Sequence, residues 1–200
     1  ARSPAVATVY ESDVSGAVSI AADSSGGAHL VYMDPSPVRL AYVYRPPGGG
    51  GSVANPDGAE GSSGADVDVD ASDGVHVVYI RYSCTSGCGY SGSTYTSNIR
   101  YGFKPAGGSW IFETAATASL TYGDPWTGSH LVYSAVTADA EDAPHITYSL
   151  YAYPSGSVSA MYAWRLGAGS WSVETIATPA SIAPRAIAVD DLDGVHVVYG

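Results

Sequence analysis

Apolar and polar residues alternate with a period of two along most of this chain, in short runs broken by clusters of Gly, Ser, Asp and Pro. That period sends successive side chains to opposite faces of an extended backbone, so the pattern predicts β-strands and no amphipathic helix. The runs recur as a unit. An apolar alternation ("VSIAAD", "DVDVD", "AVTAD", "RAIAVD") leads into a turn and then into "HLVY", "HVVY", "HITY" or "HVVY". Beneath the letters lies one spacing, an Asp, a His six residues later and a Tyr three beyond it. It occurs at Asp23, His29, Tyr32; at Asp70, His76, Tyr79; at Asp139, His145, Tyr148; and at Asp190, His196, Tyr199. Successive histidines lie 47, 69 and 51 residues apart, intervals that mark a repeat architecture.

Each spacing predicts a hairpin. Three of the turns carry Gly ("SSGGA", "ASDGV", "DLDGV"), which tolerates the positive φ of tight hairpins, whereas "AEDAP" lacks it and is expected to turn differently. A third strand follows as "RLAYVYR" (39–45), "NIRYGFK" (98–104) and "SAMYAWR" (159–165), each ending in a basic residue. A fourth follows as "GSWIFETAAT" (108–117) and "GSWSVETIAT" (169–178), where the first unit has only the Gly-rich "PPGGGGSVANPDGAE". Four short strands per unit of roughly fifty residues is the cadence of a β-propeller blade. The expectation is therefore an all-β, single-domain propeller of four-stranded antiparallel blades. Its units span 17–64, 65–132, 133–183 and 184–200, and 1–16 read as the last strand of a preceding unit. Joining the two ends would leave the fourth blade without its third strand. The chain thus reads either as part of a larger ring or as a piece whose open edge a neighbouring chain completes.

These motifs resemble the repeats of secreted bacterial β-propeller proteins of the sialidase-like (BNR/Asp-box-related) group. Those blades run roughly apolar-x-x-Asp-x-x-Gly-x-x-His-x-x-Tyr, then a Tyr-bearing strand, then Gly-x-x-Trp-x-x-Glu-Thr. The resemblance covers nearly the whole chain and implies the propeller fold. Members of such groups include lectins, polysaccharide lyases, sialidases and scaffolds.

Composition narrows the partners. With 24 Gly and 16 Tyr but only 8 Lys and Arg, the chain is turn-rich and poor in charged helix formers. A net charge of −11 argues against a nucleic-acid backbone or an anionic membrane surface, both of which need clustered cations. No run of eighteen apolar residues and no signal peptide is present, so the chain reads as a mature or excised segment without membrane insertion. Cys84 and Cys88 in "SCTSGCGY" are two thiols, too few for a zinc site, and a Tyr- and Gly-rich secreted chain favours joining them as a disulfide. An extracellular or cell-surface location follows.

Four histidines in register could suggest a metal ring, but a group needed once for chemistry is not repeated in every blade. Each His is therefore expected to pack between blades and hydrogen-bond a neighbouring turn, while each Asp caps its hairpin. Departures from the repeat are more informative. Asp66, Asp68 and Asp70 alternate with Val67 and Val69, so the three carboxylates share one strand face where other copies carry small neutral residues. Crowded carboxylates on a channel-lining strand repel unless protonated, solvated or bridged, which makes these three the candidate ligands of a cation such as Ca²⁺.

Two insertions also break the repeat, "IRYSCTSGCGYSGSTYTS" and "ASLTYGDPWTGSHLVYS". In a four-stranded meander both lie at the end opposite the Asp–His hairpins, so they should be neighbours. They bring Tyr90, Tyr95, Tyr122, Asp124, Trp126 and His130 to one rim, beside Tyr151 and Tyr153. Aromatic faces flanked by polar groups suit sugar rings. A lyase reading would cast His130, Tyr122 and Tyr95 near Arg81 or Arg100, while a sialidase needs more Arg than the chain offers. No nucleophile elbow, phosphate loop or zinc-protease motif occurs. No catalytic residue is assigned. The expectation is a non-catalytic module binding glycan or an extracellular protein through the looped face, with a self-assembling module or a fragment of a carbohydrate-active enzyme as alternatives.

Overall fold

The computed structural model describes residues 18–35, 37–123, 126–165, 170–180 and 183–200. The strand expected within 1–16 lies outside them. The elements in order are β1 (Ser19–Ala22), β2 (Ala28–Pro35), β3 (Val38–Arg45), β4 (Ser52–Ala54), β5 (Ser62–Val69), β6 (Val75–Ser86) and β7 (Thr94–Lys104). There follow β8 (Ile111–Thr121), β9 (Thr127–Ala138), β10 (Pro144–Tyr153), β11 (Ser157–Trp164), β12 (Ser172–Ala180), β13 (Pro184–Val189) and β14 (Val195–Tyr199). The described residues are all-β, and every strand pairing is antiparallel. No helix long and apolar enough to cross a membrane occurs among them.

β1–β4 form one sheet, β5–β12 a second and β13–β14 a third. Within the second, β8 meets β9 only at Leu120↔Gly128 and Thr121↔Thr127, so it divides into two four-stranded meanders, β5–β8 and β9–β12. The first strands begin earlier than the sequence units 65 and 133 suggest, at Ser62 and Thr127. Unit one also has a fourth strand, β4, three residues within the Gly-rich stretch that pair with Tyr42–Tyr44.

The meanders pack face against face, which explains the unbroken apolar run "VHVVYI" of β6. Val75, Val77 and Tyr79 face unit one in a core with Val31, Met33, Leu40 and Tyr42. Val78 and Ile80 face unit three in a core with Ile99, Tyr101, Leu131, Ile146 and Tyr148. A strand covered on both faces has no place for polar alternation. Each fully buried Val or Ile contributes about 1.5–3 kcal/mol, so an Asp at Val77 would disrupt the first of these cores.

β1, β5, β9 and β13 come together at one side of the stack. They border a hollow of about 380 Å³ whose lining includes Ser19, Asp66, Tyr133 and Arg185. The Arg185 guanidinium lies 4.6 Å above the Tyr133 ring there.

The four Asp–His hairpins share one design. Asp70 N donates to Gly74 O (2.9 Å) and Asp73 N to Asp70 O (3.1 Å), with Asp73 at φ 62°. The "AEDAP" hairpin repeats this geometry instead of turning differently: Asp139 N donates to Ala143 O (3.0 Å), Asp142 N to Asp139 O (3.1 Å), and Asp142 has φ 62°. The reason is that the left-handed residue is the one before the final position, and Asp adopts that conformation readily. At Gly74 a Cβ would lie 2.3 Å from the Asp70 carboxylate and 2.8 Å from the Phe103 ring, whereas Ala143 holds the same place in unit three with its Cβ accommodated.

Candidate functional site

The repeated histidines form a scaffold. In units one to three the His Nε2–H donates to its own hairpin's Asp, at 3.2 Å (His29–Asp23), 2.8 Å (His76–Asp70) and 2.9 Å (His145–Asp139). Nδ1 is then the acceptor, and a third-strand tyrosine hydroxyl donates to it: Tyr42 at 2.7 Å, Tyr101 at 2.7 Å and Tyr162 at 2.5 Å. Each His thus joins its own turn to its own third strand, where the sequence suggested a neighbouring turn. Bonds from Ser25, the Gly27 amide and His29 overcome burial and hold Asp23 at about 2. Burial drives the His29 pKa down despite Asp23 beside it, and the Tyr42 and Tyr162 hydroxyls up to about 12.

The carboxylate trio is spent on hydrogen bonds. Asp66 accepts from Ser19 Oγ and from Val136 N (3.0 Å), while Asp68 accepts from Thr137 Oγ1 (3.1 Å), Ala138 N (3.0 Å) and Val69 N (2.9 Å). Both therefore clip β5 to β9 of the next unit. Asp70 turns away into its hairpin, accepting from Ser72 N (2.9 Å), Gly74 N (2.6 Å) and His76. Burial raises the Asp66 pKa. Among the described residues no three His, Cys, Asp or Glu side chains converge as metal ligands would.

At the opposite end lies the aromatic rim. The two insertions are mostly strand: β6 and β7 extend into a long ribbon, and β8 and β9 run on towards each other. Thr and Tyr alternating through "TYTS" favour that extension. The turn between β6 and β7 is closed by the Cys84–Cys88 disulfide, with Cα atoms 5.7 Å apart.

These ribbons bring the predicted residues together. Tyr95 meets Tyr122 edge-on (4.9 Å between ring centres), Tyr122 meets Trp126 (4.5 Å), and Trp126 meets Tyr153 (5.3 Å). His130 stacks on Tyr151 (5.3 Å) and Tyr153 (5.6 Å). The rings wall a cleft of about 430 Å³ lined by Tyr82, Tyr95, Ser97, Leu120, Tyr122, Trp126, His130 and Tyr153. A second depression of about 530 Å³ shares Tyr95, Tyr122 and Trp126 as its wall and adds Tyr90, which is 80% exposed. Asp124 lies outside the described residues. Tyr151 supports His130 and Tyr153 from outside the cleft lining.

No charged side chain lines either depression among the described residues. Burial lowers the His130 pKa, so its ring is neutral at pH 7, and its buried Nδ1 has no hydrogen-bond partner among the described residues. Tyr82 donates to Leu131 O (2.8 Å) and Ser97 Oγ accepts from Leu131 N (3.0 Å), which fixes the floor. Arg100 is committed elsewhere, to Asp57 (3.4 Å) and Thr114 (3.0 Å). Tyr82, Ser97 and Leu120 are additions to the residues expected from sequence. Tyr82 continues the face of Val78 and Ile80, a period-two signal already present in "VVYIRY".

No protein-family model matches the chain, and no curated protein matches it.

Proposed function

We propose that this chain is a run of β-propeller blades that works outside the cell and binds a neutral glycan through the aromatic cleft. The observation that carries the binding reading is the chain of contacts Tyr95–Tyr122–Trp126–Tyr153 bounding an uncharged cleft. Sugar rings present apolar C–H faces to aromatic planes and hydroxyl edges to polar groups, here the tyrosine hydroxyls of the rim. A cleft without Arg or Lys favours a neutral saccharide over an acidic one. The propeller reading is supported by successive four-stranded meanders packed face to face, with their first strands around one hollow. A disulfide belongs to oxidising compartments, which supports the extracellular reading. The neutral cleft and the commitment of Arg100 favour binding over lyase chemistry.

The test is Trp126→Ala against a panel of neutral and acidic polysaccharides. Trp126 is 42% exposed, so its removal should cost under about 2 kcal/mol of stability, below the 3–5 kcal/mol of a fully buried Trp. Retention on the bound glycan should fall at least about tenfold, the worth of one stacking contact. Full retention, or retention of acidic polymers alone, refutes the reading.

A further inference from the structure

The tip of the β6–β7 ribbon holds its backbone in place and yet turns one ring out to solvent. Tyr90 N donates to Gly87 O (3.1 Å) and to Ser93 Oγ (3.1 Å), and Ser93 N donates back to Tyr90 O (3.1 Å). Ser93 is buried beneath the turn. Two bonds tie the tip to the end of β8, from Gly92 N to Tyr122 O (2.6 Å) and from Tyr122 N to Ser93 O (2.8 Å), and the Cys84–Cys88 disulfide closes its near side. A segment ordered only to cover itself folds its aromatic side chain inwards. Tyr90 does the opposite. It is 80% exposed, and among the described residues its ring packs against no other ring.

The wall between the two depressions makes Tyr90 part of a larger surface. Tyr95, Tyr122 and Trp126 line the cleft of about 430 Å³ on one side and the depression of about 530 Å³ on the other. Ring contacts run without a break from Tyr153 in the cleft through Trp126 and Tyr122 to Tyr95, with successive centres 4.5–5.3 Å apart. Tyr90 stands beyond that ridge, with Ser91 and Ser93 as its polar neighbours in the depression. Among the described residues no charged side chain interrupts the path. Each hollow alone falls within the roughly 300–1,000 Å³ of a small-molecule site. A ligand confined to the cleft meets one side of the ridge and never reaches Tyr90. A linear chain of sugars that crosses the ridge meets both sides and stacks on Tyr90 at the far end.

We propose that the two depressions are subsites of one site for a linear neutral glycan of three or more sugar units, and that Tyr90 is the residue that selects for chain length. The inference rests on the glycan reading of the cleft and adds the extent of the ligand to it. The cleft holds one unit, the Tyr95–Tyr122–Trp126 ridge carries the next, and the depression receives the third against a Tyr90 ring whose backbone is already fixed. Binding then orders no loop, which keeps the gain from the added contact.

The probes are ladders of β-1,4-linked glucose, xylose and mannose oligomers and of α-1,4-linked glucose oligomers, each from one to six units, titrated into the full chain by calorimetry. In whichever ladder binds, affinity should rise by at least about tenfold from dimer to hexamer, as an added stacking contact implies. Tyr90→Ala should cut that hexamer-to-dimer ratio by about threefold to tenfold, whereas Tyr90→Phe should keep it, because stacking uses the ring face and not the hydroxyl. Tyr90 is exposed, so both variants should melt with the native chain. Affinity that is level from the dimer upward overturns the inference and leaves the glycan reading standing, as does a ratio that Tyr90→Ala leaves unchanged. Failure of every ladder to bind the native chain refutes the glycan reading, and this inference with it.

Discussion

Replacing Asp70 with Ala removes three hydrogen bonds from one carboxylate, those from Ser72 N (2.9 Å), Gly74 N (2.6 Å) and His76 Nε2 (2.8 Å). The Asp70 side chain is 1% exposed and that of His76 is fully enclosed, so water cannot replace the His76 bond. A buried donor left without a partner costs about 1–3 kcal/mol. Counting the imidazole in full and the two turn amides at about 1 kcal/mol each gives about 3–5 kcal/mol. With a urea slope of about 2–3 kcal/mol/M, the midpoint should fall by roughly 1–2 M, read from Trp110 and Trp171 fluorescence. Asp190→Ala is the control. It removes the same three bonds, from Leu192 N (2.9 Å), Gly194 N (2.8 Å) and His196 (2.7 Å), in the same sequence. There the carboxylate is 45% exposed and water takes over each partner, so the midpoint should barely move. Equal losses at the two sites would refute the argument that burial, not the motif itself, sets the strength of these triads.

Gly128 has φ 106°, and a Cβ there would stand 2.4 Å from the Ser119 carbonyl oxygen at the junction of β8 and β9. Gly128→Ala should therefore cost at least about 2 kcal/mol and distort the cleft, and an unchanged melting midpoint would contradict this. The pH dependence of stability should show two declines. His29 and His130 have folded pKa values below their ordinary 6.5, so the unfolded chain takes protons first and stability falls as pH drops below 6.5 through the depressed values. Asp23 and Asp139 lie below 3.8 when folded, so their contribution is present above that pH and is lost as pH falls through the folded values. Urea midpoints that stay flat between about pH 7 and 5 would rule out the first decline, and NMR of the His130 ring would show directly whether it titrates below 6.5.

The hairpins were legible because their determinants are local: Asp and His six residues apart across a tight turn dictate who meets whom. The rim was legible for a topological reason, since meander connectivity sends the two insertions to one end before any coordinate is known. Partners supplied from far along the chain were not. Tyr42, Tyr101 and Tyr162 lie 13, 25 and 17 residues from the histidines they bond, and only their constant place in the third strand hints at the role. For Asp66 and Asp68 the sequence shows the carboxylates but not the β9 amides 70 residues away that donate to them. The "AEDAP" turn misled because the positive φ falls on the residue before the glycine position, where Asp142 adopts it as Asp73 does, so the missing glycine leaves the turn unchanged.

Trp110 of unit two packs edge-on against Tyr42 of unit one at 5.0 Å, and Trp171 of unit three packs the same way against Tyr101 of unit two at 5.2 Å. Units two and three thus each give a tryptophan backwards to a tyrosine that the unit before offers forwards, while the Asp–His–Tyr bonds of units one to three stay inside their own units. Where two successive junctions use the same exchange, a gene that loses the middle unit by unequal crossing-over leaves Trp171 of unit three facing Tyr42 of unit one, so the new junction keeps its pair. Changes in repeat number become the cheap mutations for this architecture, and single substitutions at the junctions the costly ones.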